Sequence, residues 1–397
     1  MYNTSYALLF ALILSGLTLT TMASCQQNNP TKTQNNLSTS IIKEDSLITF
    51  DMQFVGDVMG HSPQIASAYN PNTKSYNYDN CFTFIKPILE KADMAVCNLE
   101  VTLSSKGPYS GYPMFRSPDN LAYALKNAGF DLIFTANNHA NDGRLQGVIH
   151  TLDVLDSLKM LHSGTFRNQQ EKDNTYPLIF EKKQNDKSLK LAFLNYTYDT
   201  NGVPTSPPSI VNLIDSNEIK KDIALAKTHN PDMIIVFIHW GLEYQLKENA
   251  NQQQLAHMMW DQGVDLVIGM HPHVVQPIRQ SSRNRPDGTK HPVYCAYSLG
   301  NFISNQQQPN TDVGLLFNVQ LIKNTNSNQT TIGQNSYMPL WRLIKNKKYY
   351  TLPVINMEKN KNLRDSILNQ TEFLKMQKST QKIRDVLKSG DSNEDTQ

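Results

Sequence analysis

Six stretches of this 397-residue chain share one layout: an apolar run, mostly rich in β-branched residues, stops abruptly at residues able to ligate metals or move protons. They are FDMQFVGD, closing at Asp57; MAVCNLE, at Glu100; LIFTANNH, at Asn138 and His139; MIIVFIHWG, at His239; DLVIGMHPH, at His271 and His273; and CAYSLGNF, at Asn301. Short continuous apolar runs read as strands covered on both faces. Open α/β sheets place their chemistry just beyond the carboxyl ends of such strands, where side chains from several strands converge. One run of this kind says little, but six that end alike predict a single polar site at one edge of a sheet.

The segments between these runs read as helices. Asp119 to Phe130 opens on a capping Asp and closes at Gly129, and Gly143 to Met160 spaces Leu145, Val148, Ile149, Leu152, Leu155 and Leu158 at helical period. Ser216 to His229 and Asn251 to Gln262 are further helices, leading into strands at Met233 and Asp265. This alternation from Leu47 onward predicts an α/β fold. Leu189 to Tyr198 is another strand, and the proline-rich NGVPTSPPS after it reads as a surface connection in preference to a lid. Beyond Asn301, strands are expected at Val313 to Ile322 and Tyr349 to Val354, then a charged helix from Asn362 to Lys388 and a disordered tail, SGDSNEDTQ.

Formal net charge is +2 with both signs interleaved, which argues against nucleic acid as a partner. The amino-terminal segment is distinct. From Tyr6 to Met22 there is no charged residue, and the run is short for a membrane span, so residues 1–24 read as a secretory signal. Met22-Ala23-Ser24-Cys25 resembles the lipobox of bacterial lipoproteins, which implies a lipid on Cys25 and attachment to a membrane outside the cytoplasm, the outer membrane in a Gram-negative cell. Residues 25–45 are polar and read as a flexible tether. Cys81, Cys97 and Cys295 remain; the last two sit in apolar runs and read as buried core residues, and the odd number argues against a disulfide framework.

The strand-end inventory mixes carboxylate, imidazole and amide oxygen: Asp57, Glu100, Asn138, His239, His271 and His273, with His139 and Asp142 adjacent. That donor set suits a divalent transition metal, one or two ions of Mn, Fe or Zn, better than Ca or Mg, and no Cys competes for the role. Pro272 fixes the backbone between His271 and His273 and cannot continue a central strand. His61, His150, His162, His229, His257 and His291 read as surface or satisfied core histidines.

The ordered motifs FVGDVM, CNLEVTL, FRSPDN, AGFDLIFTANNHANDG, HWGLEY, GMHPHVVQP and YSLGNF resemble those of the CapA family of poly-γ-glutamate capsule biosynthesis proteins, over roughly Leu47 to Ser304. That family is similar to the calcineurin-like metallophosphatases, which implies a four-layered αββα sandwich with a dinuclear metal site. By this resemblance Asp57 holds a first metal, Glu100 bridges, Asn138, His239 and His271 hold a second, and His273 turns to the first. His139 takes the place of the group that protonates the leaving atom, with Asp142 beside it as a catalytic partner, and either Asp142 or Glu243 is the acceptor that fixes a ligand imidazole. Arg116, in FRSPDN, is the candidate clamp for a substrate carboxylate or phosphate. The chain departs from the wider superfamily at Asp57-Val58-Met59 and Asn98-Leu99-Glu100, leaving the first metal one ligand short unless His61 supplies it.

The expected organisation is a signal peptide (1–24), a tether (25–45), a CapA-like metallophosphatase domain (46–305), and a C-terminal extension (306–397) whose strands complete the sheet before a charged helix and tail. The expected function is a metal-dependent hydrolase or transferase of capsule polymer synthesis, with a metal-activated water and His139 as general acid. Its partners would be an anionic polymer or phosphoester substrate, the membrane through Cys25, and other capsule-synthesis proteins. The competing reading is a non-catalytic protein that binds or exports an anionic capsule polymer; the retained His139 tips the balance toward an enzyme.

Overall fold

The computed structural model describes residues 46–284, 288–390 and 393–394. The expected signal peptide and tether, with Cys25, lie outside the described residues. Among these, no helix is long and apolar enough to cross a membrane.

Two sheets face one another. The first has nine strands among the described residues, in the spatial order Lys348–Pro353, Gln329–Lys345, Val313–Asn324, Leu47–Val58, Met94–Leu99, Leu132–Phe134 and Leu161–Ser163, with two short strands paired alongside. The second runs Leu178–Gln184, Lys187–Thr197, Met233–His239, Leu266–Met270, Lys290–Ala296 and Ile278–Asn284. The central strands of each are parallel, so their carboxyl ends emerge along one edge.

The side-chain period of two sets the layers. Ile48, Phe50, Met52 and Phe54 fill the gap between the sheets from one side, and Met233, Ile235 and Phe237 fill it from the other. The rings of Phe134 and Phe237 stack across the gap with centroids 3.9 Å apart. The alternate residues Ile234, Val236 and Ile238 pack with Ile219 and Ile223 of helix Ser216–Thr228 and Leu255 and Met259 of helix Ala250–Asp261. The outer face of the first sheet packs with Leu121 and Leu125 of helix Asn120–Ala128 and Val154 and Leu155 of helix Arg144–Ser157. The result is a helix, sheet, sheet, helix sandwich. Each fully buried Leu, Ile or Phe contributes about 1.5–3 kcal/mol, so the three apolar layers leave the loops at the sheet edge free to carry polar groups.

Several local expectations change. Asp119 makes no side-chain capping bond; its carboxylate meets His150 Nε2 at 2.8 Å instead. The charged helix expected from Asn362 to Lys388 is two helices, Lys361–Ile367 and Gln370–Leu387, preceded by a third, Val354–Lys359; the Asn360 and Asn369 side chains each cap a new start. Helix Gln370–Leu387 buries Met376, Ile383 and Leu387 in the core between the sheets, so it is structural packing, not a surface ornament. Asn393–Glu394, inside the stretch expected as a disordered tail, pairs with Gln329–Lys345, and Arg384 binds both Glu394 and Glu358. Gln329–Lys345 itself is a 17-residue strand that its Asn, Gln, Gly and Pro content concealed. Cys81, Cys97 and Cys295 are buried free thiols.

Candidate metal centre

The edge where parallel strands end is built by specific backbone devices. Leu47–Val58 shifts register between Phe54 and Asp57, a bulge that turns Val55 and Val58 to the outer core and frees Asp57 from strict alternation. Gly56 is required there, since a Cβ would lie 1.7 Å from the Gly300 carbonyl oxygen. His239 shares the parity of Phe237 and therefore faces the first sheet. His271 and His273 both adopt left-handed backbone, with φ of 97° and 57°. Such conformations cost non-glycine residues on the order of 1–3 kcal/mol and persist where surrounding structure demands the side chain.

The structure brings Asp57, Glu100, Asn138, His239, His271 and His273 together, all buried. Two sets of donor atoms lie within 4.8 Å of one another: Asp57, Glu100 and His239 form one, and Glu243, His271 and His273 the other. Asn138 Oδ1 joins the first at 3.0 Å from His239 Nε2. Glu100 stands between them, with Oε1 3.5 Å from His239 Nε2 and 3.7 Å from His273 Nε2. His273 belongs to the second set, yet its Nδ1 lies 3.2 Å from Asp57 Oδ2 of the first. His271 groups with His273, and Glu243 reaches toward the donor cluster itself, 3.9 Å from His273 Nε2, where it had been expected to stand behind a ligand.

The residues fit a cation. Glu100 is fully buried, yet neither carboxylate oxygen has a hydrogen-bond partner, and His271 Nδ1 is likewise unsatisfied. Burial and the neighbouring Asp57 charge push the Glu100 carboxyl well above its ordinary range. Burying an unpaired carboxylate costs several kcal/mol, roughly, unless a counter-charge meets it. Burial also holds the His239 imidazole down to about 3 and the His271 imidazole well below its usual value, so both offer neutral ligand nitrogens. Burial opposes charge on His273, but Glu100 and the hydrogen bond to Asp57 outweigh it and raise the group to about 9. Asp57 responds in kind: burial resists its ionisation, yet His273, His239 and Asn98 hold its carboxyl below the ordinary value.

Residues that orient this cluster were not legible as such in the sequence. Asn98 Nδ2 donates to Asp57 Oδ1 at 2.8 Å. Asn301, which the sequence left without chemistry, places its Oδ1 3.1 Å from His273 Nδ1, fixing the ring so that Nε2 faces Glu100. Asn201, in the loop expected to be a plain surface connection, accepts from Asn138 Nδ2 at 3.2 Å and comes within 3.5 Å of His139 Nε2. Asn141 ties the same loop down through Val203 O and Thr205 Oγ1. Tyr198 lays its ring against His271 with centroids 4.4 Å apart. The signal for these was present only as spacing within the same strand-end clusters.

His139 and Asp142 form a pair beside the donors, with Nδ1 to Oδ2 at 2.7 Å, and Asp142 also accepts from Phe115 N at 2.5 Å. Asp142 therefore serves His139 and not a ligand imidazole. The Phe115 ring stands edge-on to His139 at 4.6 Å. His61 does not join the cluster; its Nδ1 lies between Gln64 Oε1, 3.1 Å, and Asn305 N, 3.2 Å, at the start of helix Ser62–Ala68. Arg116 is half-buried and donates to Ser104 Oγ at 2.8 Å; among the described residues it has no acidic partner.

Residues 51–306 match the family described as bacterial capsule synthesis protein PGA_cap. The chain belongs to this family. Within the same family frame it is 28% identical over 287 residues to the PGA biosynthesis protein CapA of Bacillus subtilis, covering 68% of this chain and 67% of that one. It is also 28% identical over 276 residues to the capsule biosynthesis protein CapA of Bacillus anthracis, covering 66% of this chain and 61% of that one. The alignment thus spans about two thirds or less of the relatives' lengths. Among solved structures, a phosphatase from Mycoplasma pneumoniae is similar over 74% of this chain and 94% of its own, at 15% identity and a TM-score of 0.41. At that score it is the layer order described above that defines the PGA_cap chain's architecture.

If Asn301 sets the His273 ring, Asn301→Ala is expected to weaken metal affinity about 10- to 100-fold while leaving the fold intact. Competition with a chelating dye measures this, and an unchanged affinity would refute the orienting role.

Proposed function

We propose that this chain is a metal-dependent hydrolase or transferase that acts on a phosphoryl or acyl centre of an anionic polymer in capsule synthesis. The observation that carries the reading is Glu100, a fully buried carboxylate whose oxygens have no hydrogen-bond partner, ringed by imidazoles and an amide oxygen, with a His-Asp pair alongside. Divalent cations held by Asp57, Glu100, Asn138, His239, Glu243, His271 and His273 would acidify water and neutralise charge that develops on the substrate.

The protein's own groups account for the rest. Asp142 accepts the Nδ1 proton of His139, which leaves Nε2 as the atom that carries and gives up a proton. The Phe115 N–H and ring keep both partners in place. Tyr198 and the Asn201 loop cover the donors and limit access of water. Arg116 is placed to bind an acidic group of the substrate.

Metal analysis of protein purified without chelator, combined with a hydrolysis screen over phosphoesters and γ-glutamyl peptides, tests the proposal. About one to two equivalents of transition metal with turnover are expected. Protein free of transition metal would sink it, and metal-loaded protein that binds polymer without turnover would favour the accessory-protein reading.

The same proposal places the chain in the cell envelope through a lipid on Cys25. Cys25→Ala is expected to move the protein from the membrane fraction to the soluble extracytoplasmic fraction; retention of the variant in membranes would show that another element anchors it.

A further inference from the structure

Beside the His139–Asp142 pair, on the side of helix Arg144–Ser157, the surface opens into a cleft of about 460 Å³. Lys106, Arg116 and Arg144 line it, and Asp142 forms part of its wall. Among the described residues none of these three cations pairs with a carboxylate: Arg116 donates only to Ser104 Oγ, and Lys106 and Arg144 are exposed. The acids nearby are already engaged. Asp119 meets His150 Nε2 at 2.8 Å, and Asp142 Oδ2, almost fully buried, accepts hydrogen bonds from His139 Nδ1 and the Phe115 N–H. Three cations against one carboxylate, Asp142, whose Oδ1 has no hydrogen-bond partner, leave the cleft net positive, and the amino end of helix Arg144–Ser157 adds to that field.

We infer that this cleft is a second anion-binding subsite, which holds an acidic group of the substrate chain adjacent to the unit at the metal centre. The inference rests on the function proposed above and deepens it. Arg116 has one nitrogen fixed by Ser104, which leaves the rest of its planar fork for two parallel bonds to an oxyanion. Lys106 and Arg144 add exposed charge, suited to drawing in a polyanion more than to fixing one geometry. Because Asp142 belongs both to the cleft wall and to the pair facing the donors, a ligand that fills both places has to carry oxyanions on successive units. A repeating polycarboxylate and a repeating polyphosphate share that chemistry.

The test is binding of a fluorescein-labelled oligo-glutamate and of inorganic polyphosphate to the full protein, wild type and Lys106→Gln/Arg144→Gln, by anisotropy and competition at low salt. Both substitutions are on the surface and leave thermal stability nearly unchanged. The double variant is expected to bind about tenfold more weakly, as two partly exposed charge contacts would together contribute. It should also show a shallower dependence on salt. Preference for one probe names the source of the oxyanion. Equal binding by wild type and double variant, or binding of neither probe to the wild type, overturns the subsite. His239→Ala separates the two proposals: it is expected to lose metal while keeping most of the oligomer affinity. If it loses affinity as fully as the double variant, the cleft is not a separate subsite. If the wild type carries no metal and shows no turnover, yet binds the oligomer through Lys106 and Arg144, the hydrolase reading fails and the subsite stands.

Discussion

Glu100→Gln is expected to abolish stoichiometric metal binding and reduce turnover to background, while the protein folds normally. The carboxylate lies within 3.7 Å of ligand nitrogens from His239, at a strand end, and His273, in the loop after the next strand, and its oxygens have no hydrogen-bond partner, so its charge has one use in this structure. Glutamine keeps the shape but removes the charge, and with it the central attraction for a cation. The pH dependence of stability provides an independent check. In the metal-free protein the folded-state carboxyl is raised by burial and by Asp57, so the unfolded chain releases this proton first as pH rises. The folded state then binds more protons than the unfolded one, and stability falls as pH climbs from the ordinary glutamate value toward the raised one. Chelated wild type should therefore lose stability over that interval, and chelated Glu100→Gln should lose less. A variant that still bound metal at full stoichiometry would refute the central role of Glu100.

The second large effect is expected at His139. His139→Ala should keep the metal content and the melting temperature close to wild type but lower kcat by about 10²- to 10⁴-fold, the range typical of general acid–base groups. Asp142→Asn should give a smaller loss in the same direction, because the amide can present its N–H to Nδ1 and favour the wrong tautomer. The discriminating measurement uses substrates with leaving groups of graded pKa. A proton donor matters most when the leaving group is poor, so the defect in His139→Ala should shrink as the leaving group improves. A defect of constant size across that series would assign His139 to positioning.

Much of this site can be traced to local pattern. The apolar runs that end at Asp57, Glu100, His239 and His271 are strands because consecutive apolar residues must be covered on both faces, and parallel strands expose their ends at a common edge. The covered faces, the helices between and the meeting of six clusters follow from periodicity and chain direction alone. The strand Gln329–Lys345 escaped because its first half is polar and it includes Gly333 and Pro339; antiparallel pairing with Val313–Asn324 holds it. The final helix reads as a surface element because charged residues are as frequent in it as apolar ones, though Met376, Ile383 and Leu387 form one buried stripe.

The sequence by itself determined which chemistry gathers at the sheet edge: carboxylate, imidazole and amide donors with a histidine and an aspartate three residues apart. Only the tertiary structure decided how those groups divide. It set His271 with Glu243 and His273, Asn301 behind His273, Asn201 over Asn138, and Asp142 behind His139 while lining a basic cleft. The physical reason is that strand periodicity fixes the face and end at which a residue emerges, within a single element. Distances between side chains from different elements depend on how two sheets pack, on one bulge before Asp57, and on left-handed turns at His271 and His273, none of which has a local repeat to read.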